Sequence, residues 1–177
     1  MRIIAGKLKY KRLYFKKNQN LRPTRNIVKK SFFDTMRGLI EGCVFLDLFA
    51  GSGSVGMEAL SRGAKRVVFV DSSNDSVSLI RKNTNNFDNV DVIKSDAEKF
   101  LDNPLVRSAG VVYVDPPYAF DVEVFLEKLF KVVNRNAIVC VEHDKKRHLR
   151  GDFGLFKCFK SKNFGKNTLD YFGVVDE

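Results

Sequence analysis

Four short apolar runs separated by helix-like stretches constrain the fold of this chain more than any other feature of its sequence. Such alternation is typical of a parallel β-sheet covered by helices on both faces. An aspartate stands near the end of each run, and ligands of these sheets bind at the carboxyl ends of the strands. We therefore expect one site that gathers the four acids. The runs cover residues 43–48, 66–70, 90–94 and 110–114, and the acids are Asp47, Asp71, Asp96 and Asp115.

The remaining pattern completes an α/β fold. Helical spacing of apolar residues predicts three helices in this part of the chain, over residues 54–62, 74–87 and 122–133. A fifth strand is expected over residues 137–141, and residues 155–161 and 168–175 alternate like the strands of a closing antiparallel hairpin. We predict a Rossmann-like domain with a mostly parallel seven-stranded sheet and an antiparallel C-terminal hairpin.

The positive charge of the chain is concentrated at its N-terminus. The net charge is +10, and residues 1–40 hold twelve Lys or Arg residues and one acid, Asp34, so the other 137 residues are nearly neutral. A basic segment of this kind favours a polyanion partner, because phosphate neutralisation releases counterions. We expect an RNA-binding extension over residues 1–40 and a catalytic domain over residues 41–177. An anionic membrane surface is the main rival partner, but no long amphipathic helix is evident.

Aromatic and apolar side chains between these charges indicate that the extension is folded. A hairpin pairing residues 2–5 with 12–15 is expected, followed by a helix over residues 25–39. Thr24 is the expected N-cap of that helix. The candidate RNA-binding residues of the extension are Arg2, Lys7, Lys9, Lys11, Arg12, Arg22, Thr24 and Arg25.

Composition disfavours several other classes of protein. No run approaches the roughly 20 apolar residues that a membrane-spanning helix needs. Cys43, Cys140 and Cys158 are scattered and odd in number, so neither a disulfide framework nor a zinc site is expected. We expect no metal, a cytoplasmic location and a monomer.

A glycine-rich loop follows the first predicted strand. Gly51, Gly53 and Gly56 match the G-x-G-x-x-G pattern, and the loop opens a predicted helix. These glycines allow a tight turn, close approach to a ligand and close helix packing. Asp71 lies twenty residues after Gly51 and ends the next strand, where it can accept hydrogen bonds from both hydroxyl groups of a ribose. The pattern predicts a nucleoside cofactor, either NAD or S-adenosylmethionine.

Two aspartates favour S-adenosylmethionine over NAD. Asp47, before the loop, suits an ammonium or sulfonium cation and would repel a pyrophosphate. Asp96 can accept a hydrogen bond from the adenine amino group, although an N-cap is the alternative. We also expect Phe49 and Ala97, beside these residues, to contact the cofactor.

The most specific signal is the sequence Asp115-Pro116-Pro117-Tyr118 after the fourth strand. Prolines end the strand and restrict the residue before them, which gives a rigid corner at the edge of the sheet. The Asp115 carboxylate and the Pro116 carbonyl can accept both N–H groups of an exocyclic amine and orient its nitrogen toward a methyl donor. Tyr118 can stack on an unstacked base. These four residues are the catalytic candidates.

These motifs resemble the bacterial 16S rRNA guanine-N2 methyltransferases, the small-subunit rRNA methyltransferase D family, along nearly the whole chain. The glycine loop and the Pro-Pro motif occur in many amino methyltransferases. The opening residues 2–6 and the Leu-Arg-Pro-Thr sequence at 21–24 narrow the similarity to this family. One departure is Lys166, at a position where the family usually has an acid.

The resemblance implies a class I S-adenosylmethionine-dependent methyltransferase acting on N2 of guanine 966 in 16S rRNA, either free or in a small-subunit assembly particle. It also implies that Arg22 and Thr24 border the active site. Three alternatives stay open on the sequence: an amino methyltransferase for DNA adenine or protein glutamine, an NAD-dependent oxidoreductase, and a non-catalytic RNA-binding protein. His143 and His148 are expected at the surface, and Glu142 is expected to cap the fifth strand or pair with a lysine.

Overall fold

An eight-stranded sheet forms the centre of the computed structural model, which describes residues 1–15 and 26–175. In chain order its strands are β1 (Val44–Leu48), β2 (Arg66–Asp71), β3 (Val90–Lys94), β4 (Val111–Val114), β5 (Ile138–Asp144), β6 (Asp152–Phe153), β7 (Phe156–Phe164) and β8 (Asn167–Val174). Their order across the sheet is β3-β2-β1-β4-β5-β8-β7-β6. The first five strands are parallel, and β8, β7 and β6 are antiparallel to their neighbours. The predicted α/β fold class is confirmed, and the short strand β6 extends the expected seven-stranded sheet at its edge.

Helices cover both faces of this sheet. They are α1 (Asn26–Thr35), α2 (Ser54–Ser61), α3 (Asn74–Thr84), α4 (Ala97–Phe100), α5 (Leu105–Ser108) and α6 (Val122–Val132). Side chains of α1, α2 and α3 pack in one hydrophobic core, and those of α4, α5 and α6 pack in a second core on the other face. The sequence did not predict α4 and α5, because four residues are too few to show helical periodicity.

The alternation of side chains along each strand decides which core a residue enters. In β1, Phe45 belongs to the first core, whereas Leu46 and Leu48 belong to the second. Asp47 therefore points to the same face as Phe45, toward α2. The strand order reverses between β1 and β4, which is the usual position of a ligand site in such a sheet.

The fifth strand is longer than predicted. It continues to Asp144 because β8 pairs with it in antiparallel register, with Glu142 opposite Leu169 and His143 opposite Thr168. Glu142 and His143 are therefore strand residues beside the sheet's carboxyl edge.

The N-terminal segment folds back on itself as predicted: the N–H of Ile3 donates to the Lys11 carbonyl (3.1 Å), and the N–H of Leu13 donates to the Met1 carbonyl (3.0 Å), although residues 1–15 form no extended strands. Its two limbs form one isolated antiparallel bridge, between Arg2 and Arg12. The turn between them packs on α2 through its backbone: the N–H of Lys7 donates to the Ser61 carbonyl (2.8 Å), and the N–H of Leu8 donates to the Ser61 hydroxyl (2.9 Å). Gly6 has a φ of +83°, and a Cβ there would lie 1.9 Å from the Ser61 carbonyl oxygen. Only glycine therefore lets the turn pack this closely on α2.

Glu58 anchors the same segment from inside α2. Its carboxylate accepts hydrogen bonds from the N–H groups of Ile4 (2.8 Å) and Ala5 (3.0 Å) and from Arg62 Nε (2.9 Å). Lys29 Nζ of α1 lies 3.7 Å away, and both charged side chains are fully buried. One buried carboxylate thus connects the N-terminal segment, α1 and α2.

Residues 1–15 share a core with the sheet, since Ile3 and Leu13 are buried in the first hydrophobic core. A separate RNA-binding role for residues 1–40 stays a prediction. Arg22, Thr24 and Arg25 lie outside the described residues, and so does the expected N-cap at Thr24. Among residues 1–15 and 26–175, no helix has the length and apolar character needed to span a membrane.

Candidate active site

A cavity of about 450 Å³ opens at the carboxyl ends of the parallel strands. Three of the four predicted aspartates line it, together with the predicted glycine loop and the proline corner. The predicted site residues in its wall are Phe49, Gly51, Asp71, Asp96, Ala97, Asp115, Pro116, Pro117 and Tyr118. Asp47 and Gly53, which were predicted with them, lie outside this wall.

The glycine loop has the backbone that its sequence predicted. Gly51 (φ +56°) and Gly53 (φ +73°) adopt left-handed conformations that glycine accommodates without strain. A Cβ on Gly56 would lie 2.3 Å from Cε1 of Phe69, so only glycine lets α2 pack this closely on β2. Gly53 and Gly56 therefore allow close packing against the side chains of the core, while Gly51 lines the cavity.

Asp71 joins the glycine loop to the second strand. Its Oδ2 accepts a hydrogen bond from the N–H of Gly51 (2.8 Å), and its Oδ1 accepts one from the N–H of Ser73 (2.9 Å). A carboxylate oxygen can accept two hydrogen bonds, so each oxygen keeps capacity for a further donor from the cavity side. The arrangement is compatible with the predicted ribose contact, which stays a prediction.

Asp96 is the N-cap of α4, as the alternative interpretation of the sequence held. Its Oδ1 accepts hydrogen bonds from the N–H groups of Glu98 (2.9 Å) and Lys99 (3.3 Å). Asp96 and Ala97 also line the cavity. The cap thus fixes the carboxylate at the cavity wall, where a contact with an adenine amino group stays a prediction.

The position of Asp47 differs from the prediction. Its carboxylate is 2 % exposed and accepts a hydrogen bond from the N–H of Gly56 (2.9 Å), away from the cavity wall. Burial, with a smaller contribution from the negative charge of Asp71, raises the pKa of Asp47 to about 8. The side chain ties β1 to the start of α2.

Replacing Asp47 with asparagine should change how stability depends on pH. The carboxyl ionises near pH 4 in an unfolded chain, so between about pH 4 and pH 8 the folded protein holds one proton more. The free energy of unfolding should then fall as pH rises through this window, by up to about 1.4 kcal/mol per pH unit. Urea unfolding at about pH 5 and pH 7.5 should show a smaller decline for Asp47→Asn than for the wild type. Equal declines in both proteins would contradict the buried acid, and the exposed Asp102→Asn is the matched control.

The proline corner is held from the loop after β5. Arg147 donates from Nη2 to the carbonyl of Tyr118 (2.6 Å) and from Nη1 to the carbonyl of Phe120 (2.7 Å). The Tyr118 side chain is 58 % exposed, and Asp115 lies at the cavity wall directly after β4. Arg147 is a residue that the sequence analysis missed, because its role depends on two carbonyls that are distant in sequence.

Glu142 also lines the cavity. Among residues 1–15 and 26–175 it neither caps the strand nor pairs with a lysine, contrary to prediction. Its carboxylate is buried and accepts hydrogen bonds from the hydroxyl of Tyr113 (2.6 Å) and from Asn167 Nδ2. Burial, with further contributions from the charges of Glu142 and Asp115, raises the pKa of Tyr113 well above its usual value. Tyr113 therefore remains a hydrogen-bond donor to Glu142.

His143 is buried, so its predicted place on the surface is wrong, whereas His148 is exposed as expected. His143 Nε2 lies 2.8 Å from Oδ2 of Asp170, and its Nδ1 lies 2.9 Å from the Asp144 carbonyl. Burial alone would raise the pKa of Asp170. The hydrogen bonds from His143 and Ser161 outweigh burial and hold this pKa below its usual value. His143 thus connects β5 to β8 at the cavity wall.

The predicted RNA-binding residues within the described segment lie between residues 2 and 12, on the two limbs and the turn of the N-terminal segment. Arg2, Lys7, Lys9 and Arg12 are exposed, and Lys11 is half-buried with its Nζ 4.6 Å from the ring centroid of Phe87. No group of three or more His, Cys, Asp or Glu side chains suited to a metal ion occurs in the part of the chain that the structure describes.

The sequence of this chain is similar to a known protein family and to several named relatives. The family profile described as "Conserved hypothetical protein 95" matches residues 1–173. A relative from Bacillus subtilis named "Putative rRNA methyltransferase YlbH" is 30% identical, over 93% of this chain and 94% of the relative. "Ribosomal RNA small subunit methyltransferase D" of Haemophilus influenzae is 34% identical, over 84% of this chain and 81% of the relative.

Solved structures agree on the fold. The structure of "Putative methyltransferase yhhF" from Escherichia coli superposes with a TM-score of 0.86 at 25% identity, covering 100% of this chain and 99% of that one. An RNA methyltransferase from Salinibacter ruber in complex with S-adenosyl-L-homocysteine has a TM-score of 0.68 at 20% identity, covering 88% and 95% of the two chains. At that identity the second similarity concerns the fold alone.

Proposed function

The chain belongs to the Conserved hypothetical protein 95 family, and we propose that it transfers a methyl group from S-adenosylmethionine to N2 of a guanine in small-subunit ribosomal RNA. The observation that carries this proposal is one cavity whose wall combines the glycine loop and Asp71 with the Asp-Pro-Pro-Tyr corner at residues 115–118. Relatives named as rRNA methyltransferases support the reaction and the class of substrate. Guanine 966 of 16S rRNA is the specific target that we propose.

The residues of the cavity fit S-adenosylmethionine. Its volume of about 450 Å³ lies within the range of about 300–1,000 Å³ that is usual for cofactor sites. Asp71 would hold the ribose hydroxyls, Asp96 would accept from the adenine amino group, and Phe49 supplies an apolar wall. When bound, the cofactor supplies an electrophilic methyl group on a sulfonium. The names of the relatives favour this reaction over the NAD-dependent alternative.

The proline corner would hold the amine that is methylated. The Asp115 carboxylate and the Pro116 carbonyl would each accept one N–H, which turns the nitrogen lone pair toward the methyl carbon. Tyr118 is exposed enough to stack on the face of a flipped-out base. The nitrogen forms its new bond to carbon as the carbon–sulfur bond breaks, and the excess proton then passes to Asp115 or to water.

Mass spectrometry of nucleosides tests the proposal. We expect 16S rRNA from cells that lack the gene to lose one N2-methylguanosine, and the purified protein with S-adenosylmethionine to restore it. Parallel reactions on naked 16S rRNA and on isolated small subunits would show which one is the substrate. Loss of methyladenine from DNA, or of methylglutamine from a protein, with unchanged rRNA would contradict the assignment.

We also propose that the basic N-terminal turn (residues 5–11) binds RNA phosphates. Removing residues 1–20 would be a poor test, because Ile3 and Leu13 belong to the core. Changing Lys7, Lys9 and Lys11 together to serine removes charge and leaves the backbone contacts with α2 in place.

The salt dependence of RNA affinity should report these contacts. Each phosphate neutralised on a single strand contributes a log–log slope of about −0.7, so the triple serine variant should lose up to about two units of slope. Filter binding at several salt concentrations measures it. A variant of equal charge on the opposite face, with Lys99, Lys131 and Arg135 changed to serine, is the control. An equal change in slope for both variants would remove the N-terminal turn from the interface.

A further inference from the structure

Two carboxylates stand side by side in the cavity wall. Val114 of β4 pairs with Val141 of β5 in the parallel register, so Asp115 and Glu142 are the next residues on neighbouring strands. Both line the cavity. Only Asp115 has a role in the proposed mechanism so far, which leaves Glu142 to be explained.

Glu142 is a buried acid that neutral groups stabilise. Its side chain is 3 % exposed and accepts from the Tyr113 hydroxyl and from the Asn167 amide. Within residues 1–15 and 26–175 it forms no ion pair with a lysine, arginine or histidine. Burial of a carboxylate without a cation is costly, so such an acid at a cavity is a candidate functional group.

The carboxylate keeps unused acceptor capacity. A carboxylate has about four lone-pair sites, and the Tyr113 hydroxyl and the Asn167 amide occupy two of them. These two donors hold the carboxylate group in a fixed orientation at the cavity wall. A further partner from the cavity must therefore be a hydrogen-bond donor.

We propose that Glu142 recognises the target base by accepting a hydrogen bond from N1–H of guanine, next to Asp115, which holds the N2 amine. This inference rests on the proposed function and adds the residue that selects the base. The Watson–Crick edge of guanine presents N1–H and the N2 amine as adjacent donors, which two adjacent carboxylates complement. Adenine presents an N1 lone pair next to its amine, and that lone pair would face the negative charge of Glu142. The acid pair thus accepts guanine and rejects adenine.

Tyr113 and Asn167 are positioning residues in this arrangement. Their donated hydrogen bonds fix the Glu142 carboxylate, and neither needs to touch the base. A site built to hydrogen-bond a substrate group discriminates strongly against an analogue that lacks the group, because its own polar atoms are then left unpaired. Loss of a hydrogen bond to a charged group changes binding of the transition state by about 10- to 150-fold.

An RNA with 2-aminopurine at the methylated position tests the inference. This base keeps the N2 amine but has a lone pair at N1 in place of N1–H. For the wild type we expect kcat/KM to fall by about 10- to 150-fold relative to guanine, the range expected for a lost charged hydrogen bond. The Glu142→Gln variant can turn its amide N–H toward N1, so its preference for guanine should shrink toward unity. Tyr113→Phe should reduce the preference partly, while Glu41→Gln, at an exposed acid, should leave it unchanged.

The outcomes separate this inference from the proposed function. A wild type that methylates guanine and 2-aminopurine equally well would overturn the role of Glu142, and this measurement needs no variant to fold. An unchanged preference in Glu142→Gln, with melting temperature and S-adenosylhomocysteine affinity intact, would also overturn it. An equal loss of rate on both bases is one such unchanged preference, so it would overturn the role of Glu142 as well. Absence of methylation of guanine in any ribosomal RNA by the wild type would instead reject the proposed function.

Discussion

Replacing Asp115 with alanine should reduce methyl transfer by about 10³-fold while leaving cofactor affinity close to that of the wild type. In the proposed mechanism Asp115 orients the amine and receives its proton, and such contributions amount to about 10²- to 10⁴-fold. The cofactor would be held by Gly51, Asp71 and Asp96, which belong to other strand ends. Single-turnover methylation and calorimetry with S-adenosylhomocysteine measure the two effects separately.

Two further variants sharpen this result. Asp115→Asn keeps an acceptor oxygen but cannot take the proton, so we expect a rate between those of the wild type and Asp115→Ala. Asp102→Ala, at an exposed acid in the loop before α5, is the control and should leave the rate unchanged. An Asp115→Ala protein that retains the wild-type rate would reject the mechanism.

Replacing Glu58 with alanine should lower the free energy of unfolding by about 3–5 kcal/mol, the usual cost of breaking a buried ion pair. The N–H groups of Ile4 and Ala5 would lose their acceptor, and Lys29 would remain buried without its counter-charge. Burial already lowers the pKa of Lys29, with the charge of Glu58 opposing that effect, so removal of Glu58 should lower it further. Chemical denaturation measures the loss, and hydrogen exchange at residues 4–8 should rise.

An exposed acid provides the matched control. Glu98 pairs with Lys128 at 3.1 Å on the surface, so Glu98→Ala should cost at most about 1 kcal/mol. Adding Lys29→Met to Glu58→Ala removes the unpaired charge and should recover part of the stability. If the two alanine variants were equally stable, Glu58 would not be the anchor that its contacts indicate.

The sequence predicted the fold and nine of the residues that line the cavity. Asp71 and Asp115 follow β-branched runs, and the ends of parallel strands meet at one edge whatever the connections between them. Asp47 was misplaced because it lies one residue before the end of β1, where the alternation of side chains turns it toward α2. To predict whether a side chain reaches the cavity, the face of the sheet to which it points was therefore more informative than its distance from the strand end.

The residues that the sequence did not predict depend on contacts between distant segments. Glu142 and Asn167 meet because β8 lies antiparallel beside β5, and Arg147 reaches carbonyls at 118 and 120. An acid directly after the apolar residues 139–141 was the available signal for Glu142. The N-terminal turn gave no signal of its contacts, because it binds α2 through backbone groups that every residue type except proline shares.

This attachment through the backbone has a consequence for substitutions in the turn. The main-chain N–H groups of residues 4, 5, 7 and 8 bond the N-terminal segment to α2. Substitutions of the lysine side chains at 7, 9 and 11 therefore leave these hydrogen bonds in place. Substitutions at these three positions change the charge of the turn but not its contacts with Glu58 and Ser61. The charge of the turn and its packing on α2 can therefore be changed independently of each other.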